Sequence, residues 1–154
     1  MVNIALRAAR KAGDLVIRAT KRIDLVNIDE KGRNDFVTDI DYAAENEIIY
    51  HLKKAFPEHT IISEEAGLLK GAEEDYQWII DPLDGTTNFI PGIPHFAISI
   101  ACTHKGKIEH AVILAPLRHE EVLARRGRGS FLHGPIIRVS NRLSLSGSRH
   151  STGL

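Results

Sequence analysis

The hydrophobic period of this chain changes at Pro57, and that change decides its fold class. Ahead of Pro57, apolar residues recur every three or four positions. Ile4, Ala8, Ala12, Leu15, Val16 and Ala19 line one face of an amphipathic helix predicted over residues 3–20. Ala44, Ile48, Leu52 and Ala55 mark a second helix that Pro57 stops. A connecting segment joins the two, running to about Asn34 and ending in the polar run 29–34. Beyond Pro57 the apolar runs are short and strand-like: Thr60-Ile61-Ile62, Gln77-Trp78-Ile79-Ile80, and residues 95–103, 107–115, 121–125 and 136–139. Lys105-Gly106-Lys107 reads as a hairpin turn between two of them. Two helices followed by a run of strands predict an α+β fold, with both helices packed on a largely antiparallel sheet. There is no internal repeat, and residues 144–154 are polar with no helix or strand pattern.

Charge and composition exclude several classes. Twenty basic residues offset twenty acidic ones, which argues against a dedicated nucleic-acid binder with its usual basic surplus. Arginines do gather late in the chain, from Arg118 through Arg125, Arg126, Arg128, Arg138, Arg142 and Arg149, and read as a solvated or partner-facing surface. No apolar run approaches the roughly 18 residues of a membrane span, so no membrane partner is expected. The N-terminus lacks an export-signal core. A single cysteine, Cys102, permits no internal disulfide; it reads as a buried core thiol in a reducing, cytoplasmic setting. The histidines show neither zinc-binding spacing nor a cysteine partner.

The chemistry concentrates in Trp78-Ile79-Ile80-Asp81-Pro82-Leu83-Asp84-Gly85-Thr86-Thr87-Asn88-Phe89. An apolar strand delivers Asp81 at its carboxyl end, Pro82 forbids simple helix continuation, and Gly85 permits a sharp turn. Two carboxylates three residues apart in such a turn can converge on one cation. The Leu83 carbonyl, outside any ladder, is free to join them. Gly85, Thr86 and Thr87 offer N–H groups and hydroxyls of the kind that hold phosphate oxygens. Carboxylates with a backbone carbonyl are hard ligands suited to Mg²⁺. An isolated Asp-Pro or Asp-Gly is an ordinary turn dipeptide. The whole string is far more specific, and it looks like the metal-and-phosphate loop of the inositol monophosphatase family, a group that includes fructose bisphosphatases and phosphonucleotide phosphatases.

Two further segments resemble the same family. Ile61-Ile62-Ser63-Glu64-Glu65-Ala66-Gly67 is similar to its second element, in which the first glutamate, Glu64 here, is a metal ligand. Read alone, a Glu pair after a strand is the acidic first turn of a helix. Asn34-Asp35-Phe36-Val37-Thr38-Asp39-Ile40-Asp41 is similar to the segment before the second helix. There the resemblance gives Asp41, with Thr86, the task of orienting and deprotonating the attacking water. Thr38 and Asp41 also have capping-box spacing, with Asp in place of Glu or Gln, so one residue can serve both ends. Arg126-Gly127-Arg128-Gly129-Ser130-Phe131-Leu132-His133-Gly134 and Ile137-Arg138-Val139-Ser140 match the family's later strand-and-turn pattern. The likeness runs from the first helix to about Gly147.

The resemblance implies the layered α/β sugar-phosphatase fold and hydrolysis of a phosphate monoester, inositol monophosphate first among the substrates, with two or three Mg²⁺ ions (Mn²⁺ as a substitute, Li⁺ as an inhibitor). Glu64, Asp81 and the Leu83 carbonyl would hold one metal, and Asp81 and Asp84 would contribute to another. Glu64, Leu83, Asp84, Gly85 and Thr86 would surround the substrate, and Asp41 and Thr86 would be catalytic. A sugar bisphosphate or a phosphonucleotide is the alternative substrate, and a homodimer is the expected assembly. The family's C-terminal half, which supplies a further aspartate within a Trp-Asp motif, has no counterpart here, since Trp78 is the only tryptophan. The reading is therefore a metal- and phosphate-binding part over 1–147, a polar tail over 148–154, and the C-terminal half of the family fold absent. A cage short of one ligand predicts looser metal binding, and uncovered sheet edges predict association. The other reading is a catalytically silent fragment acting through RNA or protein binding, as some bacterial relatives do with RNA processing or transcription machinery.

Overall fold

A computed structural model describes residues 1–32, 35–141, 144 and 146. Helix α1 (Val2–Thr20) is followed by a 3-10 turn (Ile23–Leu25), a small hairpin of β1 (Ile28–Gly32) and β2 (Asp35–Thr38), and helix α2 (Asp39–Ala55). The remaining elements are β3 (His59–Ser63), β4 (Gly67–Leu69), β5 (Glu73–Asp84), a single helical turn α3 (Thr86–Phe89), β6 (Ala97–His104), β7 (Lys107–Ala115), a 3-10 turn (Pro116–Arg118), β8 (Glu120–Arg125) and β9 (Gly129–Leu132). The seven later strands form one sheet in the order β4-β3-β5-β6-β7-β8-β9. Every neighbouring pair in it is antiparallel except β3 and β5. Three helices on a mostly antiparallel sheet is the α+β arrangement that the change of period at Pro57 predicts.

α1 and α2 pack against each other and on that sheet. α1 buries Ala5, Ala8, Ala9, Ala12 and Val16. Its small side chains let the backbone come close to β7: a Cβ on Gly13 would stand 2.9 Å from Leu114 Cδ2. α2 buries Ala44, Ile48 and Leu52 in the same cluster as Trp78 and Ile80 of β5 and Ile98 and Ile100 of β6. Ile48 and Leu52 are fully buried, so truncating either to alanine should cost about 2–5 kcal/mol. Cys102 sits in this core, and burial pushes its thiol up to about 11, so it is an inert packing residue as expected. Trp78 donates its Nε1–H to His59 Nδ1 at 3.1 Å, and the His59 ring is stacked between Phe56 and Tyr76.

Four sequence expectations need correction. The connecting segment before Asn34 holds β1, the first strand of a hairpin, which its polar composition hid. The strand over 77–80 is only the middle of a twelve-residue β5. The Glu64–Glu65 pair lies in a turn between antiparallel β3 and β4, so it does not open a helix. Residues 136–139 form no strand; Ile136 makes one bridge, to Phe131, and the edge strand is β9 instead. Asn34 and the predicted tail over 148–154 lie outside the described residues.

Candidate metal and phosphate site

β5 carries the candidate loop past its buried middle. Asp81 pairs with Ser99 of β6 and Asp84 pairs with Ala97, so β5 spends three residues where β6 spends two. The extra residue makes a bulge at Pro82–Leu83, a place where a proline without an N–H is tolerated. The ladder that sequence reasoning ended at Asp81 therefore resumes at Asp84, and the Leu83 carbonyl stands in the bulge between. Leu83 N donates to Asp81 Oδ1 at 3.2 Å, and Leu83 O lies 3.0 Å from Thr86 Oγ1. That carbonyl keeps a second lone pair.

Gly85 then turns the chain into α3 with φ +97. A Cβ there would lie 2.9 Å from His95 O and 3.3 Å from Phe96 Cα, so both the dihedral and the close approach demand glycine. Asn88 Nδ2 donates to His95 O at 2.9 Å, and Phe89 is buried edge-on against Phe96. The loop is thus fastened at both ends. The first N–H groups of α3 have no earlier helical carbonyl to bind.

α2 aims one acid at this loop and a second at the β3–β4 turn. Asp41 closes a capping box: its Oδ2 accepts from Thr38 N at 2.8 Å and from Thr38 Oγ1 at 2.5 Å. Its other oxygen, Oδ1, accepts from Thr86 Oγ1 at 3.0 Å. Burial pushes the Asp41 carboxyl above its ordinary range, and the hydrogen bonds from Thr38 and Thr86 draw it partly back. One helical turn on, the buried Glu45 accepts through Oε1 from Ser63 Oγ, from Glu65 N at 2.9 Å and from Ala66 N at 3.2 Å. Glu45 therefore clasps the turn that carries Glu64. Sequence reasoning missed it, although its i+4 spacing from Asp41 on an inward helix face was the available signal.

Glu64, Asp81 and Asp84 are brought near one another. Burial first, then the charges of Glu64 and Asp84 and a hydrogen bond with Glu64, push the Asp81 carboxyl up to about 7. Such crowding of acids is what a bound cation relieves, and carboxylate and carbonyl oxygens suit Mg²⁺. Among the described residues, no three His, Cys, Asp or Glu side chains already close around a single point, so the acids meet pairwise. Every candidate site residue from the sequence, Asp41, Glu64, Asp81, Leu83, Asp84, Gly85 and Thr86, falls in this one region.

An acidic strand end set against a helix start, on a helix-backed sheet, is the arrangement of the layered sugar-phosphatase folds. Residues 1–153 match the inositol monophosphatase family, and the chain belongs to that family. It is similar to Nus factor SuhB of Pseudomonas aeruginosa, 56% identical over 155 residues that cover 99% of this chain and 57% of the relative. The extragenic suppressor protein suhB of Bartonella henselae superposes with a TM-score of 0.89 at 40% identity, over 91% of this chain and 54% of that one. An IMPase of Thermotoga maritima superposes at 0.85 and 39%, over 93% and 55%. A less similar structure, at 0.70 and 26% over 80% and 48%, is an IMPase/NADP phosphatase complexed with Mg²⁺ and phosphate. The chain spans a little over half the length of the relatives it matches. No described helix is long and apolar enough to cross a membrane.

Proposed function

We propose that this chain carries the metal- and phosphate-binding part, over residues 1–147, of a Mg²⁺-dependent phosphatase acting on a small phosphate monoester, with inositol monophosphate the first candidate substrate. The observation that carries this reading is the Thr86–Asp41 hydrogen bond, together with a carboxyl, Asp81, that burial and then the charges of Glu64 and Asp84 push up to about 7. Glu64, Asp81 and the Leu83 carbonyl would hold one Mg²⁺, and Asp81 and Asp84 would contribute to a second. A cation held there would supply charge neutralisation of the phosphate and a lowered pKa for a bound water. The chain's own residues do the rest. Gly85 and Thr86 present backbone N–H groups to phosphate oxygens. The Thr86 hydroxyl, its proton held toward Asp41, leaves a lone pair to orient the attacking water; as that water gives a proton to Thr86 Oγ1, Thr86 passes its own proton to the Asp41 carboxylate, which ends neutral. Phosphoryl transfer needs little more than such positioning and charge compensation. Mn²⁺ should substitute for Mg²⁺, and Li⁺ should inhibit by competing at the Asp81–Asp84 position.

The test is phosphate release from inositol 1-phosphate in millimolar Mg²⁺, with Asp84→Asn and added Li⁺ as controls. Turnover in the wild type that both controls abolish supports the reading; Mg²⁺-independent turnover, or none at all, contradicts it.

A second reading is favoured by the relatives' designation as Nus factors. By that reading the chain engages transcription machinery, RNA or protein, through the arginine-rich turn at Arg125, Arg126 and Arg128. Salt-sensitive RNA binding without Mg²⁺ would support it. Homodimerisation, the expected assembly, is checked by light scattering at micromolar concentration, where a clean monomer counts against it.

A further inference from the structure

A cleft of about 410 Å³ lies between α1 and the 3-10 turn that follows β7. It shares no residue with the site around Asp81, and nothing in the proposed hydrolysis uses it. We propose that this cleft is a separate binding site for a small phosphate ester with a flat apolar body, its phosphate taken by Arg7 and Lys11 and its ring laid against Leu114 and Pro116. The inference goes beyond the phosphatase reading and does not depend on it.

One stripe of α1 forms the near wall. Arg7, Arg10, Lys11, Asp14 and Ile17 are linked by steps of three and four residues, so they share a helix face. Leu114 and Pro116, both buried, make the floor. Gly13 brings α1 down onto them: a Cβ there would stand 2.9 Å from Leu114 Cδ2 and 3.4 Å from Pro116 Cβ. On the opposite wall the chain takes a left-handed conformation at His119, with φ +55, as the 3-10 turn ends, and His119 lines the cleft.

The charges along these walls are unevenly committed. Arg10 holds both carboxylate oxygens of Glu121, at 2.6 and 2.7 Å, so that pair is satisfied within the chain. Arg7 and Lys11 are exposed and form no ion pair with a described residue. They stand one helical turn apart, and two cations at that spacing suit a phosphate dianion better than a single carboxylate. His119 offers a ring N–H from across the cleft. Asp14 lies about 10 Å further along the helix axis than Arg7 and repels anions at that end. A ligand is thereby oriented, with its phosphate toward Arg7 and its uncharged body over Leu114 and Pro116.

The test is isothermal titration of the full 154-residue chain at low salt in EDTA, which leaves the acids around Asp81 without a cation to attract phosphate. The probes are phenylphosphonate and methylphosphonate. Wild type should bind phenylphosphonate about tenfold or more tightly, as burial of a ring on an apolar floor implies. Arg7→Gln and Lys11→Gln should each weaken phenylphosphonate about tenfold, and the double variant should bind neither probe. Both side chains are exposed, so the variants should keep the wild-type thermal midpoint without ligand. Phenylphosphonate should raise that midpoint in the wild type and leave it unmoved in the double variant. Equal affinity for the two probes would overturn the proposal. So would binding that survives both substitutions, or no saturable binding by about 10 mM ligand. None of these results bears on Mg²⁺-dependent hydrolysis.

Discussion

Thr86 Oγ1 donates to Asp41 Oδ1 at 3.0 Å, joining the loop after β5 to the first turn of α2. The same hydroxyl lies 3.0 Å from Leu83 O, yet it has one proton to give. An ionised Asp41 claims it. Asp41 also caps α2 through its other oxygen. Asp41→Asn cannot take up a proton, and its amide donor must face either Thr38 N or Thr86 Oγ1, so it should lose the base and disturb one of the two contacts. We expect phosphate release to fall by about 10²–10⁴ and stability by about 1 kcal/mol, read as kcat and as a thermal midpoint. Thr86→Ser keeps the hydroxyl and should retain most activity, whereas Thr86→Val should not.

Glu45 acts one helical turn further along by holding Glu65 N and Ala66 N. Removing a residue that orients metal ligands commonly costs 10–100-fold in metal affinity. Glu45→Ala should weaken Mg²⁺ binding by about that factor, and removing the acceptor of the buried Ser63 hydroxyl and of two part-buried N–H groups should cost about 1–3 kcal/mol of stability. Glu45→Gln keeps an acceptor oxygen and should lose less of both. Calorimetric Mg²⁺ titration beside urea unfolding separates the two effects.

The acidic loop and the capping box were legible in the sequence because each depends on local rules: strand, proline, glycine, and a cap at fixed spacing. Glu45 was not, since its partners sit 18 to 21 positions away across the β3–β4 turn. Edge strand β9 was hidden by Gly127 and Gly129, whose positive φ values shape the turn leading into it. Residues 136–139 alternate like a strand, but a single bridge is the only pairing they make among the described residues. The hairpin of β6 and β7 was plain because Lys105 and Gly106 both take the positive φ that a two-residue turn requires.

His59 should make the fold acid-sensitive. Its Nδ1 accepts from Trp78 Nε1, so the neutral ring is required, and its Nε2 faces Glu73 at 3.6 Å. Burial lowers its pKa; Glu73 opposes that shift and Lys53 adds to it. The unfolded state therefore binds a proton first, near pH 6.5, and stability falls as pH drops from there toward the lower folded value. Trp78, the single tryptophan, reports unfolding directly. Asp81, pushed up to about 7, takes up a proton on the folded chain across the same window and works in the opposite direction. The His59 effect is therefore read against His59→Gln: between pH 7.5 and pH 5.5 the urea midpoint of the wild type should fall further, or rise less, than that of the variant. Burial also lowers the His110 pKa, which adds to the acid sensitivity.

Gly85→Ala should damage the loop twice over. A left-handed backbone strains any larger residue, and the new methyl would press on His95 O. The expected cost is about 1–3 kcal/mol, with a loss of phosphate binding that thermal denaturation with and without phosphate would reveal.

The most direct measurement is Mn²⁺ binding to the chain, followed by water-proton relaxation at neutral pH in the wild type and in Asp81→Asn. If Glu64, Asp81, Leu83 and Asp84 form a cation site, the wild type shows saturable binding that Mg²⁺ displaces and that Asp81→Asn abolishes. An absence of saturable binding, or binding that survives Asp81→Asn unchanged, would contradict it.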